Sequence, residues 1–452
     1  MQENMSNHTL TAAPPAAEAT VAGRRSRTFD SFQVPQYRLF WSAIMAQMAA
    51  MNMQMVARAW LIYELTNSYA MLGLMGLANA VPMLLLSLFG GVMADRVPKK
   101  RILRDGQWAL AAVAFATGLG IVFGVISLDR STGVEFLLLT SVLQGIVSGL
   151  MMPARQAIIP EIVGPARLMN AVALNQAGMN INRLVAPGLA GLIIAILGVK
   201  TIFFAIGALE VTGGVLSAFL RPSGVMALGR RRTWSEMRDG LRYVRDSTTL
   251  MALLILTLLS VLLSMPYIAL MPAFAKDIQV VHAGGYTWMG SIPLLGSVPE
   301  LLTKSSFRLG LLTSISGIGA LTGSLLIASM ANRNRGAGFL WSVLGTGVAL
   351  VVYSFTTSFG LALLFMIGLG FAQSARMSLS NVLVQDAVDD AHRGRVMSIY
   401  MMEFGLSSFS SFGVALLAGA VGIKWAVGGA AFLLVPLAFY YFLFNPRIRR
   451  LH

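Results

Sequence analysis

The sequence predicts an all-α polytopic membrane protein: twelve transmembrane helices forming two pseudo-symmetric six-helix halves. Three observations carry that expectation. The 452 residues are 56% hydrophobic and 12% charged, with a mean hydropathy of +0.71. Soluble globular chains carry about 25% charged residues, so this composition cannot cover a water-facing surface. Second, the apolar residues gather into stretches close to the ~20 residues a helix needs to cross about 30 Å of hydrocarbon. Third, the net charge of +15, from 34 Lys+Arg against 19 Asp+Glu, lies mainly between alternate stretches, as in cytoplasmic loops. The same figures exclude wholesale disorder. In this apolar context the basic excess does not point to nucleic acid.

The elements follow in order. Residues 1–34 are polar, rich in Ala, Pro and Thr, and lack the apolar core of a signal peptide, which predicts a disordered cytoplasmic tail. A first six-helix bundle is expected over 35–221, with spans near 38–65, 70–94, 103–127, 133–154, 168–197 and 200–221. A linker follows at 222–247. In it Trp234, Met237, Leu241 and Val244 recur at helical spacing behind a Thr233/Glu236 capping box, which reads as an amphipathic helix on the cytoplasmic surface. The second bundle, 248–445, has spans near 248–275, 306–330, 337–357, 360–383, 396–420 and 424–444. Its outer loop, 277–305, is too broken by Gly and Pro to span. Tyr286 and Trp288 in it are expected either to rest on the membrane or to meet a protein partner at the outer mouth. A basic cytoplasmic tail, 446–452, ends the chain.

The cations test this topology. With both termini inside, the outer side holds only Arg130, Lys200, Lys276, Lys304, Arg308 and Lys424, while Arg58 and Arg183 fall within spans. The remaining basic residues lie at the cytoplasmic loops and span edges, as expected for twelve spans.

Several chemistries are excluded. There is no cysteine, hence no disulfide, thiolate zinc site, iron–sulfur cluster or Cys nucleophile. His8, His282, His392 and His452 all fall in tails or loops, so no buried imidazole site is expected. No G-x-x-x-x-G-K-[ST] loop occurs, and the energy source is expected to be an ion gradient rather than ATP. No enzyme, cofactor or metal is expected.

The most informative stretch is GGVMADRVPKKR at the end of span 2. Gly91, Asp95, Arg96, Lys99 and Lys100 form G-x-x-x-D-R-x-x-K-K: a small residue for close helix contact, an acid placed to meet a helix N-terminus, and cations at headgroup level. Such a cluster could latch the cytoplasmic side shut. With this pattern the chain resembles the major facilitator superfamily, departing from its signature at Pro98. A degenerate copy, ASMANRNRG, follows span 8, with Ala328, Asn332 and Arg333 where Gly, Asp and Arg would stand. The missing acid predicts a weaker latch there. PARQAIIPEIVGPARLMNA after span 4 and SNVLVQDAVDDAHRGRV after span 10 repeat an acid (Glu161, Asp386) followed by a cation (Arg167, Arg393). With WLIYELTNS and LRYVRDS, they are similar to the enterobactin-exporter and macrolide-efflux branch, over about residues 35–445. In span 5, Ala186-Pro187-Gly188 followed by Ala190-Gly191 partly resembles the hinge signature of proton-driven antiporters; the alternative is ordinary small-residue packing.

Ionisable residues inside the bilayer are costly and mark function by default. Glu210 in span 6 and Glu403 in span 11 are the candidate proton carriers, with Arg58 and Arg183 as charge or substrate candidates. An Arg183–Glu210 structural ion pair is the competing possibility. By the resemblance, spans 1, 4, 7 and 10 line a cavity, which makes Gln47, Met48, Met51, Asn52, Met55 and Gln144 cavity candidates. The methionine stripe of span 1 suits varied hydrophobic ligands. Met51–Met55 and Met397–Met401 also have spacing for Cu(I), though among 27 methionines such pairs arise by chance. The resemblance implies a proton-coupled exporter of small amphiphilic compounds, siderophore or drug-like, working by alternating access in a bacterial inner membrane. Its expected partners are a small-molecule substrate, protons or another coupling ion, and lipids. The alternatives are an importer or carrier of a lysophospholipid or metal, and a non-transporting receptor.

Overall fold

The computed structural model describes residues 27–127, 132–221, 234–278, 298–329, 334–389, 392–449 and 451. Their regular structure is helical: α1 Pro35–Thr66, α2 Tyr69–Arg96, α3 Lys99–Val122, α4 Thr132–Val163, α5 Leu168–Leu197 and α6 Val199–Ala218. Then come α7 Trp234–Asp246, α8 Thr248–Ser264, α9 Pro266–Asp277, α10 Val298–Thr303, α11 Ser305–Ser329 and α12 Arg335–Phe355. α13 Phe359–Asp386, α14 Arg393–Val421, α15 Ile423–Phe432, α16 Leu434–Phe444 and α17 Pro446–Arg449 complete the chain.

Local chemistry sets the helix ends. Pro35 opens α1, where its missing N–H costs nothing. Asn67 closes it in the left-handed region at φ 46°, and Ser68 Oγ then accepts from Met71 N at 3.4 Å to start α2. Two expected spans are each broken once by proline. Pro266 cannot donate to Leu262, so one crossing divides into α8 and α9. The freed Leu262 carbonyl accepts instead from Ser410 Oγ of α14 at 2.5 Å. Pro436 divides the last crossing at Leu433 in the same way.

Counting α8–α9 and α15–α16 as single crossings, eleven helical segments among the described residues are long and apolar enough to span a bilayer. α1 is the twelfth long helix. Its 32 residues would reach about 48 Å, but Gln47, Asn52, Gln54 and Arg58 dilute its hydropathy. The largest difference from expectation is α4, which runs on to Val163 through Pro153 and Pro160 rather than stopping near 154. That extension brings Arg155 inside the helix and Glu161 to its last turn. α7 lies where the amphipathic linker helix is expected; Thr233, its expected cap, is outside the described residues.

Glycine sets the closest helix contacts. A Cβ on Gly145 or Gly149 of α4 would fall 2.1 or 2.5 Å from the Asn79 or Met83 carbonyl oxygen of α2. Gly319 of α11 and Gly370 of α13 approach Ile367 O and Ser316 O in the same way. Small residues let backbones meet where apolar packing alone distinguishes helix from lipid. The two sets of long helices join through α5 against α11 and α2 against α14. Gly191 abuts Ser306 and Gly310, Gly188 abuts Ser314, Gly317 abuts Leu184, and Gly73 abuts Phe412.

Candidate functional site

The helix ends define two faces of the molecule. Asp30 pairs with Arg167 at 3.2 Å, Lys99 with Glu161 at 2.6 Å, and Arg335 with Asp386 at 3.2 Å; Arg221 N donates to Gln36 at 2.8 Å. These groups mark the terminal face. At the opposite, far face the two sets of helices are tied by polar contacts. Trp60 Nε1 donates to Ser305 Oγ at 3.0 Å, and Ser305 Oγ donates to Glu64 at 3.3 Å. Lys276 reaches Asn67 Oδ1 at 3.3 Å and Glu64 at 3.9 Å, and lies over the Tyr63 ring.

One face of α5 shows what this does. Ala190 and Ile194, in the far half, are buried. Arg183, Gln176, Val172 and Met169 continue the same helical stripe toward the terminal face and are exposed, Met169 by 85%. A stripe sealed in one half and exposed in the other is the pattern of a cleft closed at the far face and open at the terminal face. α1 bounds it. Its Gln47 and Gln54 face α4, at Met151 and Gln144, and its Met45 faces Gly178 and Asn182 of α5. Between those two contacts Met51 and Met55 stand 46% and 45% exposed. Of the remaining cavity candidates, Met48 is buried and Asn52 is half-buried, donating to the Met48 carbonyl at 2.7 Å.

Deeper on α1, Arg58 is buried among neutral partners. Its Nη1 donates to Ser141 Oγ at 2.6 Å. With the Gln54 amide oriented by its neighbours, the Gln54 oxygen accepts from Arg58 Nε at 3.1 Å and Nη2 at 3.0 Å.

The expected proton carriers have contrasting surroundings. Glu210 of α6 is 2% exposed, and its Oε2 has no hydrogen-bond partner among the described residues. It does not pair with Arg183, which lies exposed on α5, so the Arg183–Glu210 pair is not formed. Glu403 of α14 is buried and accepts from Thr257 Oγ1 of α8 at 2.8 Å. One turn along α8, Ser260 Oγ accepts from Arg376 Nη1 at 3.0 Å. Arg376 of α13 is 1% exposed and interacts electrostatically with Glu403. Ser380 and Tyr400 share a 2.8 Å hydrogen bond beside them. Arg376 was not among the sequence candidates. Its signal was present, as an arginine inside an apolar span, but ten residues from the helix end it read as an edge cation.

The expected latch is only partly visible. Arg96 is exposed, and Lys99 binds Glu161, which joins the start of α3 to the end of α4. The close helix contact falls on Gly90, whose Cβ would meet Gly149 O at 2.8 Å; Gly91 has open space. Nothing is described of the Asp95 side chain; Asn332 and Arg333 lie outside the described residues, as do most of the 277–305 loop, Tyr286 and Trp288. Lys100 is half-buried. Pro187, Gly188 and Gly191 seat α5 on α11 rather than standing free.

The family model described as "Transmembrane secretion effector" matches residues 26–303, and that of the Major Facilitator Superfamily matches residues 280–451. The Staphyloferrin A transporter of Staphylococcus aureus is 24% identical over 400 residues, 84% of this chain and 90% of that protein. The Multidrug efflux pump Tap of Mycolicibacterium fortuitum is 26% identical over 89% of this chain and 94% of its own length. The Enterobactin exporter of Salmonella typhi is 23% identical over 88% of each chain. Among solved structures, peptide transporter POT with alafosfalin superposes with a TM-score of 0.70 at 14% identity, covering 93% of this chain and 98% of that one. A bacterial homologue of the lysosomal transporter Spinster, inward-facing and occupied, gives 0.67 at 14% identity, over 94% of this chain and 99% of that chain.

Proposed function

The chain belongs to the transmembrane secretion effector family of the major facilitator superfamily, and on that premise we propose that this multi-pass transporter exports small amphiphilic compounds in exchange for protons. The observation that carries the proposal is the one-ended cavity: the α5 face buried at Ala190 and Ile194 and exposed from Arg183 to Met169. A transporter alternates such openings by rocking two halves about a central site. In this reading the halves are 35–221 and 248–445, joined by the 222–247 linker, and the basic terminal face is cytoplasmic. Substrate enters from the cytoplasm along Met51, Asn52, Met55 and Gln144; Gln47 and Met48 are buried behind that surface and do not line it. Efflux pumps and a siderophore exporter among the relatives support the outward direction.

Glu403 is the favoured proton carrier. It shares a polar cluster with Arg376, Thr257 and Ser260, so gaining or losing a proton changes the charge balance between α8, α13 and α14. Glu210 has no such partner to redirect. Asp95 and its basic neighbours, with the degenerate sequence copy at Asn332 and Arg333, act as the latch of the other state, and Pro187, Gly188 and Gly191 form the surface on which the halves pivot.

The test uses protein in liposomes carrying an internal pH dye, with an imposed proton gradient and a panel of a catecholate siderophore, a macrolide and a lipophilic cation. Substrate-dependent proton movement opposite to substrate movement is expected. Substrate flux with no proton flux would reject antiport, and net uptake toward the terminal face would reject export.

A further inference from the structure

Among the described residues, two cations on the open side of the molecule have no partner. Arg155 of α4 and Arg183 of α5 make no hydrogen bond or ion pair among the described residues, whereas Arg58 and Arg376 are held by Ser141, Gln54 and Ser260. Both point inward. Arg155 lies on the stripe that begins at Gln144, the residue meeting Gln54 of α1, and continues through Ser148 and Met151. Arg183 lies on the α5 stripe already described. Met151, one turn from Arg155, touches Gln47, and Gln144 meets Gln54, so Arg155 stands level with Ala43 of α1. Tyr37 reaches Ala171 O, Trp41 reaches Leu174 O and Met45 lies against Gly178, so Arg183 stands level with Ala49. The two arginines therefore flank α1 from either side, roughly 9 Å, or about two helical turns, apart in depth. Met51 and Met55 lie on the exposed α1 face deeper than both.

An unpaired guanidinium in a low-dielectric cleft is a standing attraction for oxyanions, which it binds through a planar fork of donors. Two of them on the approach to a deeper thioether surface describe a ligand with two oxyanion groups toward the terminal face and an apolar body beyond them. The same pair repels a lipophilic cation, and no carboxylate among the described side chains pairs with it: Glu210 is buried on α6 and Glu403 lies with Arg376. We infer that the cavity selects an amphiphilic organic dianion, its carboxylate or equivalent oxyanion groups held by Arg155 and Arg183 and its apolar body on Met51 and Met55. The inference rests on the transporter reading and narrows its substrate class.

The test is fluorescence binding of naphthalene dicarboxylate to the full-length protein in nanodiscs at low salt, beside its uncharged dimethyl ester and tetraphenylphosphonium. The dicarboxylate is expected to bind at least tenfold more tightly than the ester, and tetraphenylphosphonium is expected not to displace it. R155Q and R183Q each weaken the dicarboxylate about tenfold or more, the loss of roughly one charge-assisted contact. R155K and R183K restore part of it, which separates lost charge from lost folding. R238Q, on the surface of α7, changes nothing. Ester binding equal to that of the diacid, displacement by tetraphenylphosphonium, unaffected R155Q and R183Q, or no dicarboxylate binding at all would each overturn the inference. Counterflow in liposomes keeps the two readings apart. Arginine-dependent binding without counterflow removes the transport reading and leaves the anion site. Counterflow of the ester or of tetraphenylphosphonium does the reverse.

Discussion

The two sets of six crossings share a packing plan and differ in their buried charge. Gly145 and Gly149 bring α4 onto α2 much as Gly319 and Gly370 bring α11 and α13 together. Inside that common frame the first set holds Arg58 on neutral oxygens and leaves Glu210 alone on another helix. The second brings Arg376 and Glu403 into one cluster across α8, α13 and α14. A cation solvated by neutral groups is a fixed feature. A cation beside an acid can be rebalanced by one proton. The contrast assigns ligand contact to the first set and ion coupling to the second, as a proposal open to test.

The largest expected effect tests that division directly. Glu403→Gln should reduce substrate-driven proton flux about tenfold or more, an effect of at least about 1.4 kcal/mol on the limiting barrier. Glu210→Gln should leave most of the flux. Equal losses in the two variants, measured in the same liposome assay, would erase the distinction between the sets.

Stability gives the next test. Arg376→Met removes the Nη1 hydrogen bond to Ser260 and a cation that interacts with the buried Glu403, and should cost about 3 kcal/mol. Arg58→Met loses hydrogen bonds to neutral groups, roughly 1.5–3 kcal/mol. Thermal unfolding in detergent should rank Arg376→Met as the more damaging, and the reverse order would mean that the Glu403 cluster is not the costlier charge to disturb.

The seam between the sets is probed at Gly191. A valine there would place Cβ 2.5 Å from Ser306 O and 2.9 Å from Gly310 Cα. Overpacking of this kind costs about 1–3 kcal/mol. Spin labels on α1 and α11 at the far face should report a wider separation than in the parent protein. An unchanged separation would show that α5 and α11 do not hold that face closed.

The smallest effect compares the paired ends of the two sets. Lys99–Glu161 is short, with side chains 9% and 15% exposed, while Arg335–Asp386 is longer, at 24% and 55%. Exposed pairs contribute about 0–1 kcal/mol. Lys99→Met should therefore lower the unfolding temperature measurably and Asp386→Asn hardly at all.

Much of this was legible in the chain. Hydropathy located the crossings because the bilayer demands uninterrupted apolar length. The breaks at Pro266 and Pro436 were written as residues, but whether a proline kinks a span or is absorbed, as Pro153 and Pro160 are in α4, depends on what receives the freed carbonyl. Glu403 stood out as an intramembrane acid. Its partner Arg376 did not, because a cation ten residues from a helix end can snorkel, and only packing against Ser260 shows that it does not. Gly90, not Gly91, carries the close contact at the end of α2 because neighbouring residues on a helix face different ways.

The sequence by itself determined the number of crossings, their apolar length and the face on which cations gather, because these depend on the solvent around each segment taken alone. Which charges meet, which stripe opens and which face is sealed was decided only by the tertiary structure. Arg183 and Glu210 are equally polar residues in equally apolar spans. Their separation, and the joining of Arg376 to Glu403, follow from helix rotation and neighbour, quantities that no single span encodes.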